Sequence, residues 1–166
     1  NSMYPAYADS RLVGPTIGLP NLAGGEKIRL SFQHWFETYQ PADFGLVEVS
    51  ANGGAWQTVS QDTFYYYSGG WTYHLIDLTA FAGSDIRLAF HFVSDSFFNE
   101  NGWFVDDVRV EVDTMQFDVI LSENFENQSD EWYANRGVWQ VGLPTAGPNA
   151  AHSPPALATL TAGIEG

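Results

Sequence analysis

The sequence contains no cysteine among its 166 residues. That excludes disulfides, thiolate metal sites and cysteine nucleophiles together, but it does not exclude export, since bacterial exported domains often lack cysteine. Cations are nearly as scarce. Lys27 is the single ammonium side chain, and Arg11, Arg29, Arg87, Arg109 and Arg136 complete a set of six against 20 carboxylates, a formal charge of −14. Such a surface repels phosphate backbones and anionic lipid, so nucleic acid and membrane surfaces are poor partners. No apolar run of about 18 residues occurs, so no membrane insertion is expected. No signal peptide is visible, and the chain opens at Asn1 rather than methionine, as an excised piece of something longer would. Catalytic signatures are missing too: no Gly-x-Ser-x-Gly elbow, phosphate loop, dinucleotide fingerprint or His-Glu-x-x-His, and no metal-ligand spacing among His34, His74, His91 and His152. The expectation is a protein that is not an enzyme.

What is present is aromatic and turn-rich. Hydrophobic residues make up 45% and aromatics 16%, with 16 glycines and 8 prolines, which gives material for one core and favours strands over helices. Apolar residues alternate with period two. Ile28, Leu30, Phe32, His34 and Phe36 share one face of a strand, and Ile86, Leu88, Phe90 and Phe92 share a face of another. Phe44–Ser50, Ala55–Val59, Tyr73–Leu78, Trp103–Val112 and Phe117–Phe125 read as further strands, with Asn52-Gly53 as a tight hairpin signal. Residues 1–25 and 142–166, rich in Pro, Gly, Ala and Ser, read as long irregular connections with one short strand each. Many short strands with no helical period predict an all-β antiparallel sandwich.

The run Gly102-Trp103-Phe104-Val105-Asp106-Asp107-Val108-Arg109-Val110 resembles the closing strand of MAM-like jelly rolls. These include accessory domains of immune-inhibitor-A-type metalloproteases and related bacterial surface proteins. Ser10–Pro15, Leu30-Ser31-Phe32, His34-Trp35-Phe36, Val47–Ser50 and Trp71 leading into Ile76–Thr79 precede it in the family's order. Glu123-Asn124-Phe125-Glu126, then Trp132, Trp139, Val141-Gly142, Pro144 and His152, resembles how the same family begins. The resemblance thus implies a jelly-roll, concanavalin-like sandwich in circularly offset order. Residues 1–113 would form the main body and closing strand, 114–118 a turn or link between units, and 119–166 an opening segment. A repeat cut out of phase, a permuted domain and a subunit lending its C-terminal segment to a neighbour all fit that order.

Two groups of residues stand out as candidate sites. Strand parity puts Asp106 on the face of Phe104, Val108, Val110 and Val112, the expected core face, where a carboxylate is costly unless hydrogen-bonded or metal-bound. The resemblance implies Ca²⁺ there, held by Asp106 or Asp107 together with Glu126, with Glu123 in reserve; calcium's preference for oxygen suits so acidic a chain. The plainer reading is a carboxylate capping backbone amides at a strand edge. In the second group, Tyr65, Tyr66, Tyr67, Trp71 and Tyr73 offer rings that stack on sugars or on a protein, against the plainer reading of core and turn packing. His34, on an apolar face, reads as a hydrogen-bonded core histidine. Asn127-Gln128-Ser129 matches a glycosylation sequon.

The leading expectation is a non-catalytic extracellular module of a prokaryotic surface protein or filament, serving self-assembly or cell adhesion with neighbouring subunits or repeats. The alternative is a carbohydrate-binding accessory domain of a secreted enzyme, with glycans as partners. Residues 117–125 have two possible closures, a hairpin beside Val108–Val112 or donation to the next subunit, and exchange or tandem continuation is the favoured one.

Overall fold

The computed structural model describes residues 3–39, 42–113, 118–123, 132–136, 139–142 and 157–160. Among these the chain forms β1 (Asp9–Gly18), β2 (Lys27–Glu37), β3 (Phe44–Ala51), β4 (Trp56–Thr58), β5 (Thr72–Asp77), β6 (Asp85–Val93), β7 (Gly102–Asp113), β8 (Asp118–Glu123), β9 (Tyr133–Asn135), β10 (Trp139–Gly142) and β11 (Leu157–Leu160). The described residues contain one 3-10 turn, Thr79–Phe81, and no α-helix. None is therefore a helix long and apolar enough to cross a membrane.

One sheet runs β4-β3-β6-β1-β9 and the other β10-β11-β7-β2-β5, with β8 also on β7. Every described pairing is antiparallel. The paired ribbon β2·β7 continues across the sandwich as β3·β6, so a double strand wraps around the core in the jelly-roll manner. The core lies between the sheets, and Phe32, Phe90, Phe92 and Trp103 are fully buried in it. Full burial of such a side chain stabilises by roughly 1.5–3 kcal/mol or more. Trp103 lies so close over β3 that a Cβ on Gly45 would come within 2.4 Å of its ring, which leaves no room for a side chain there. The expected hairpin is present: Asn52 and Gly53 both have positive φ, 51° and 72°, and Gly54 N–H donates to the Ala51 carbonyl.

Three expectations need correction. Residues 1–25 contain a ten-residue strand, not a short one, because the register shift between Val13 and Thr16 absorbs Gly14-Pro15 in a bulge. Proline lacks the ladder N–H, and a bulge is where a strand tolerates that loss. Alternation along residues 117–125 gives Phe117, Val119, Leu121 and Phe125 as one apolar stripe that needs covering. In β8, Val119 is exposed, while Ile120 and Leu121 pack partly against the core, after a shift between Val110 and Glu111; Phe117 and Phe125 lie outside the described residues.

The third correction is in β7. Trp103 and Val105 face the main core, and so do Val108, Val110 and Val112, while Phe104 packs outside it against Trp35 and Trp71. Two residues of β7 are passed over between the pairs Gln33↔Asp106 and Ser31↔Arg109, and Asp107 sits at φ 51°. This bulge switches the faces, so Asp106 lies on the side of Phe104, away from the core face that simple alternation assigns it.

The described strands of the last third pack within their own chain. β8 pairs antiparallel with Val108–Val112, the hairpin closure, and β9 pairs with β1. Trp132 stacks on Phe90 with ring centroids 6.1 Å apart, and Trp139 packs on Trp103 at 5.9 Å.

His34 is the buried histidine the pattern suggested, accepting the Trp103 indole N–H at 3.2 Å through Nδ1. Burial, with His74 nearby, pushes its pKa down from 6.5 to about 3. Between those values the unfolded chain takes up a proton that the folded one refuses, so stability falls as pH drops, by up to ~1.4 kcal/mol per pH unit. Melting temperature should therefore fall steadily from pH 6.5 towards 3, and His34→Gln should flatten that slope. Parallel slopes for the two proteins would refute the assignment.

Candidate functional site

At one end of the sandwich, the end of β2 meets the loop that leads to β5. Glu37, Thr38, Tyr39, Tyr66, Tyr67 and Glu100 line a cleft of about 420 Å³ there. Tyr39, Tyr66 and Tyr67 are 43%, 60% and 53% exposed, and Phe97 and Phe98 in the β6–β7 loop are more exposed still. So many open rings at one end form the kind of apolar surface that marks a recognition site. Phe98 packs on Tyr39 with ring centroids 4.8 Å apart, and Tyr67 meets Trp35 edge-on at 6.2 Å.

Hydrogen bonds hold these rings in place. Glu37 and Tyr67 form an antiparallel bridge. Thr38 N–H donates to the Tyr66 carbonyl at 2.7 Å, and Tyr66 N–H donates to Thr38 Oγ1 at 2.8 Å. One turn further, Ser68 N–H donates to the Phe36 carbonyl and Phe36 N–H to Ser68 Oγ. Tyr66 and Phe98 take positive φ, 76° and 42°. Bulky residues rarely adopt that conformation, and such strain concentrates at functional sites.

Beneath the cleft lies Asp43, fully buried. Its carboxylate accepts the Tyr4 hydroxyl at Oδ2 and the Asp95 N–H at Oδ1, and its carbonyl accepts the Thr38 hydroxyl. The Tyr4 oxygen in turn accepts the Tyr39 N–H at 3.0 Å. Burial pushes the Asp43 pKa up, partly offset by the Tyr4 hydrogen bond, and burial with the Asp43 contact pushes the Tyr4 phenol up. Glu37 Oε2 accepts the Asn101 side-chain amide.

The sequence pointed to part of this site. Of the aromatic group, Tyr66 and Tyr67 line the cleft. Tyr65 and Tyr73 are exposed without lining it, and Trp71 is half-buried against Trp35 and Phe104, its plainer reading. Phe64 belongs to the core. Glu37, Tyr39, Phe98 and Glu100 were not foreseen. The one local signal was Phe97-Phe98, an apolar pair between polar loop residues.

The carboxylate group lies elsewhere. Asp106 is fully buried and its Oδ1 accepts the Asp107 N–H at 2.7 Å, the backbone capping of the plainer reading. β8 and β11 share one edge of β7. β8 ends with Glu123 opposite Val108, and β11 begins at Val105, so Asp106 and Asp107 lie where that edge passes from one strand to the other. Glu126 lies outside the described residues. Among those described, no group of three His, Asp or Glu stands close enough to hold a metal ion. A further polar cluster, Asp9, Arg11, Glu48 and His91, is internally paired: Arg11 Nε lies 2.7 Å from Glu48, and His91 Nε2 lies 2.8 Å from Asp9, holding that carboxyl below its usual pKa.

No protein-family model matches the chain. It is similar to part of the pre-pro-metalloprotease PrtV of Vibrio cholerae serotype O1, 29% identical over 130 residues, which is 73% of this chain and 14% of that protein. It is also similar to part of bacillopeptidase F of Bacillus subtilis, 30% identical over 106 residues, 63% of this chain and 7% of that protein. The chain thus spans a small fraction of the curated relatives it matches.

The strain at Tyr66 makes a prediction against the usual order of helix- and strand-neutral substitutions. At positive φ glycine is relaxed and alanine is not. Tyr66→Gly should therefore be more stable than Tyr66→Ala by about 1 kcal/mol in denaturant unfolding. Equal stabilities would mean that Tyr66 is not held in this conformation in solution.

Proposed function

We propose that this chain is a non-catalytic extracellular recognition module of a bacterial protein of protease type, and that its aromatic cleft grips the target. The carrying observation is the set of open rings of Tyr39, Tyr66, Tyr67 and Phe98, held by strained and hydrogen-bonded backbone. Rings left in water at a rigid end suit binding, since little ordering entropy remains to be lost. The similarity to small parts of two proteins named as proteases supports an appended role. In that setting the target is a polypeptide or the surface to which the parent protein is directed. The carbohydrate-binding reading uses the same rings for sugar stacking. Self-assembly by segment exchange has less behind it, because the described parts of residues 119–166 pair within their own chain.

The test is binding of the purified chain to immobilised protein substrates and to a glycan array, wild type against the Tyr39→Ala/Tyr66→Ala double variant. Loss of roughly tenfold or more in affinity is expected from removing two central aromatic contacts. Unchanged binding would remove the cleft from the function, and dependence on the cleft for glycans alone would turn the reading to carbohydrate.

Calcium belongs to the same proposal, at Asp106, Asp107, Glu123 and Glu126, supported by a fully buried carboxylate at the fork in the β7 edge. Removing a buried carboxylate from water costs several kcal/mol unless partners offset it. A cation that binds only the folded chain raises its melting temperature. Calcium should therefore raise the melting temperature, chelator should lower it, and Asp106→Asn should abolish the difference. Identical curves with and without chelator would refute calcium binding.

A further inference from the structure

The cleft is acidic as well as aromatic, and no Lys or Arg side chain is among the described residues that line it. Among the described residues that line it, Glu37 and Glu100 are the charged ones. The six cationic side chains are engaged elsewhere: Arg11 faces Glu48, Lys27 and Arg29, at the opposite end of β2 from Glu37, face Asp77 and Asp113, and Arg136 lies by Asp9. Arg87 donates to Thr16 and Tyr133, and Arg109 lines a separate depression with Asp107 and Glu111. The chain's charge of −14 adds a field that concentrates cations at its surface.

Building on the recognition role, we propose that the cleft receives a basic side chain, arginine before lysine, of an extended polypeptide. Tyrosine faces attract a cation through the ring quadrupole, and a planar guanidinium also stacks on them. A carboxylate beside the ring adds a charge-assisted hydrogen bond. Glu37, half-buried and oriented by Asn101, and Glu100 supply two such acceptors beside Tyr66 and Tyr67. A neutral sugar gains from the rings and can donate hydroxyls to the carboxylates, but it brings no positive charge to match them in an acidic field. A volume of about 420 Å³ is enough for one such side chain and its flanking backbone.

The experiment titrates the full chain with N-acetyl-arginine amide and an Ac-Gly-Arg-Gly amide peptide. Each is compared with its citrulline counterpart, which keeps the shape and loses the charge; tetramethylammonium and cello- and chito-oligosaccharides serve as controls. Tyrosine and amide NMR shifts are the readout. Arginine should perturb Tyr39, Tyr66 and Tyr67, and citrulline should bind at least about fivefold more weakly. Glu37→Gln and Glu100→Gln should each weaken arginine binding about two- to fivefold, and salt should weaken it further. Melting curves confirm that the variants fold. Tetramethylammonium matching the arginine peptide would replace the polypeptide by a small cation and overturn the proposal. Equal binding of citrulline, or oligosaccharide binding that the Glu→Gln variants leave intact, would overturn the cationic ligand while leaving the cleft as a recognition site. If no probe moves the tyrosines and Tyr39→Ala/Tyr66→Ala leaves target binding intact, both readings fall.

Discussion

The buried Asp43 carboxylate is the constraint on which the cleft end of this molecule depends. Through its side chain, and through the Tyr4 hydroxyl, it joins the N-terminal segment, the end of β2 and the start of the β6–β7 loop. Its carbonyl holds Thr38, whose hydroxyl holds Tyr66. A carboxylate with no water around it is expensive, and this one is tolerable because each oxygen has a donor. The same low-dielectric setting makes those bonds strong and directional, so three loops that share little sequence proximity keep one geometry. The backbone that carries Tyr39 and Tyr66 is tied to it.

Bulges decide which residues reach which face. In β1 the bulge at Gly14-Pro15 lets a strand continue where proline would otherwise end it, and Gly14 leaves space that the Trp132 ring fills. In β7 the bulge at Asp107 brings Trp103 and Val105 to the core alongside Val108 and Val110, and it turns Phe104 and Asp106 to the opposite side. Trp103 then fits over Gly45, while the Phe104 face gains Trp35 and Trp71. A single inserted residue thus rearranges the packing of both faces, as a period of two requires.

The C-terminal segment fits this economy of surfaces. Trp132 and Trp139 are buried in the main core, against Phe90 and Trp103. Large aromatic side chains contribute most per residue to burial, so these C-terminal segments add their packing to the body of their own chain. The proposed recognition cleft lies at the end where loops, not strands, meet.

Much of the fold was legible in residue order. Ile28–Phe36 and Ile86–Phe92 alternate strictly, and water imposes that alternation on any strand with one buried face, so the sandwich, its long central strands and the core position of His34 followed from sequence alone. Asn52-Gly53 declared its turn because few other pairs tolerate two positive φ angles. Asp106 was also visible as a carboxylate in an apolar strand, but its face was not, because a bulge is a departure from local pattern set by the partner strand. Consecutive aspartates, a residue type enriched at positive φ, were the only local hint of it. The cleft was half legible: Tyr66 and Tyr67 announced themselves as aromatics, whereas Glu37, Tyr39, Phe98 and Glu100 lie tens of residues away from them. Only tertiary structure brings those residues together, since their proximity rests on Asp43, Tyr4 and Thr38, long-range hydrogen bonds that no local propensity encodes.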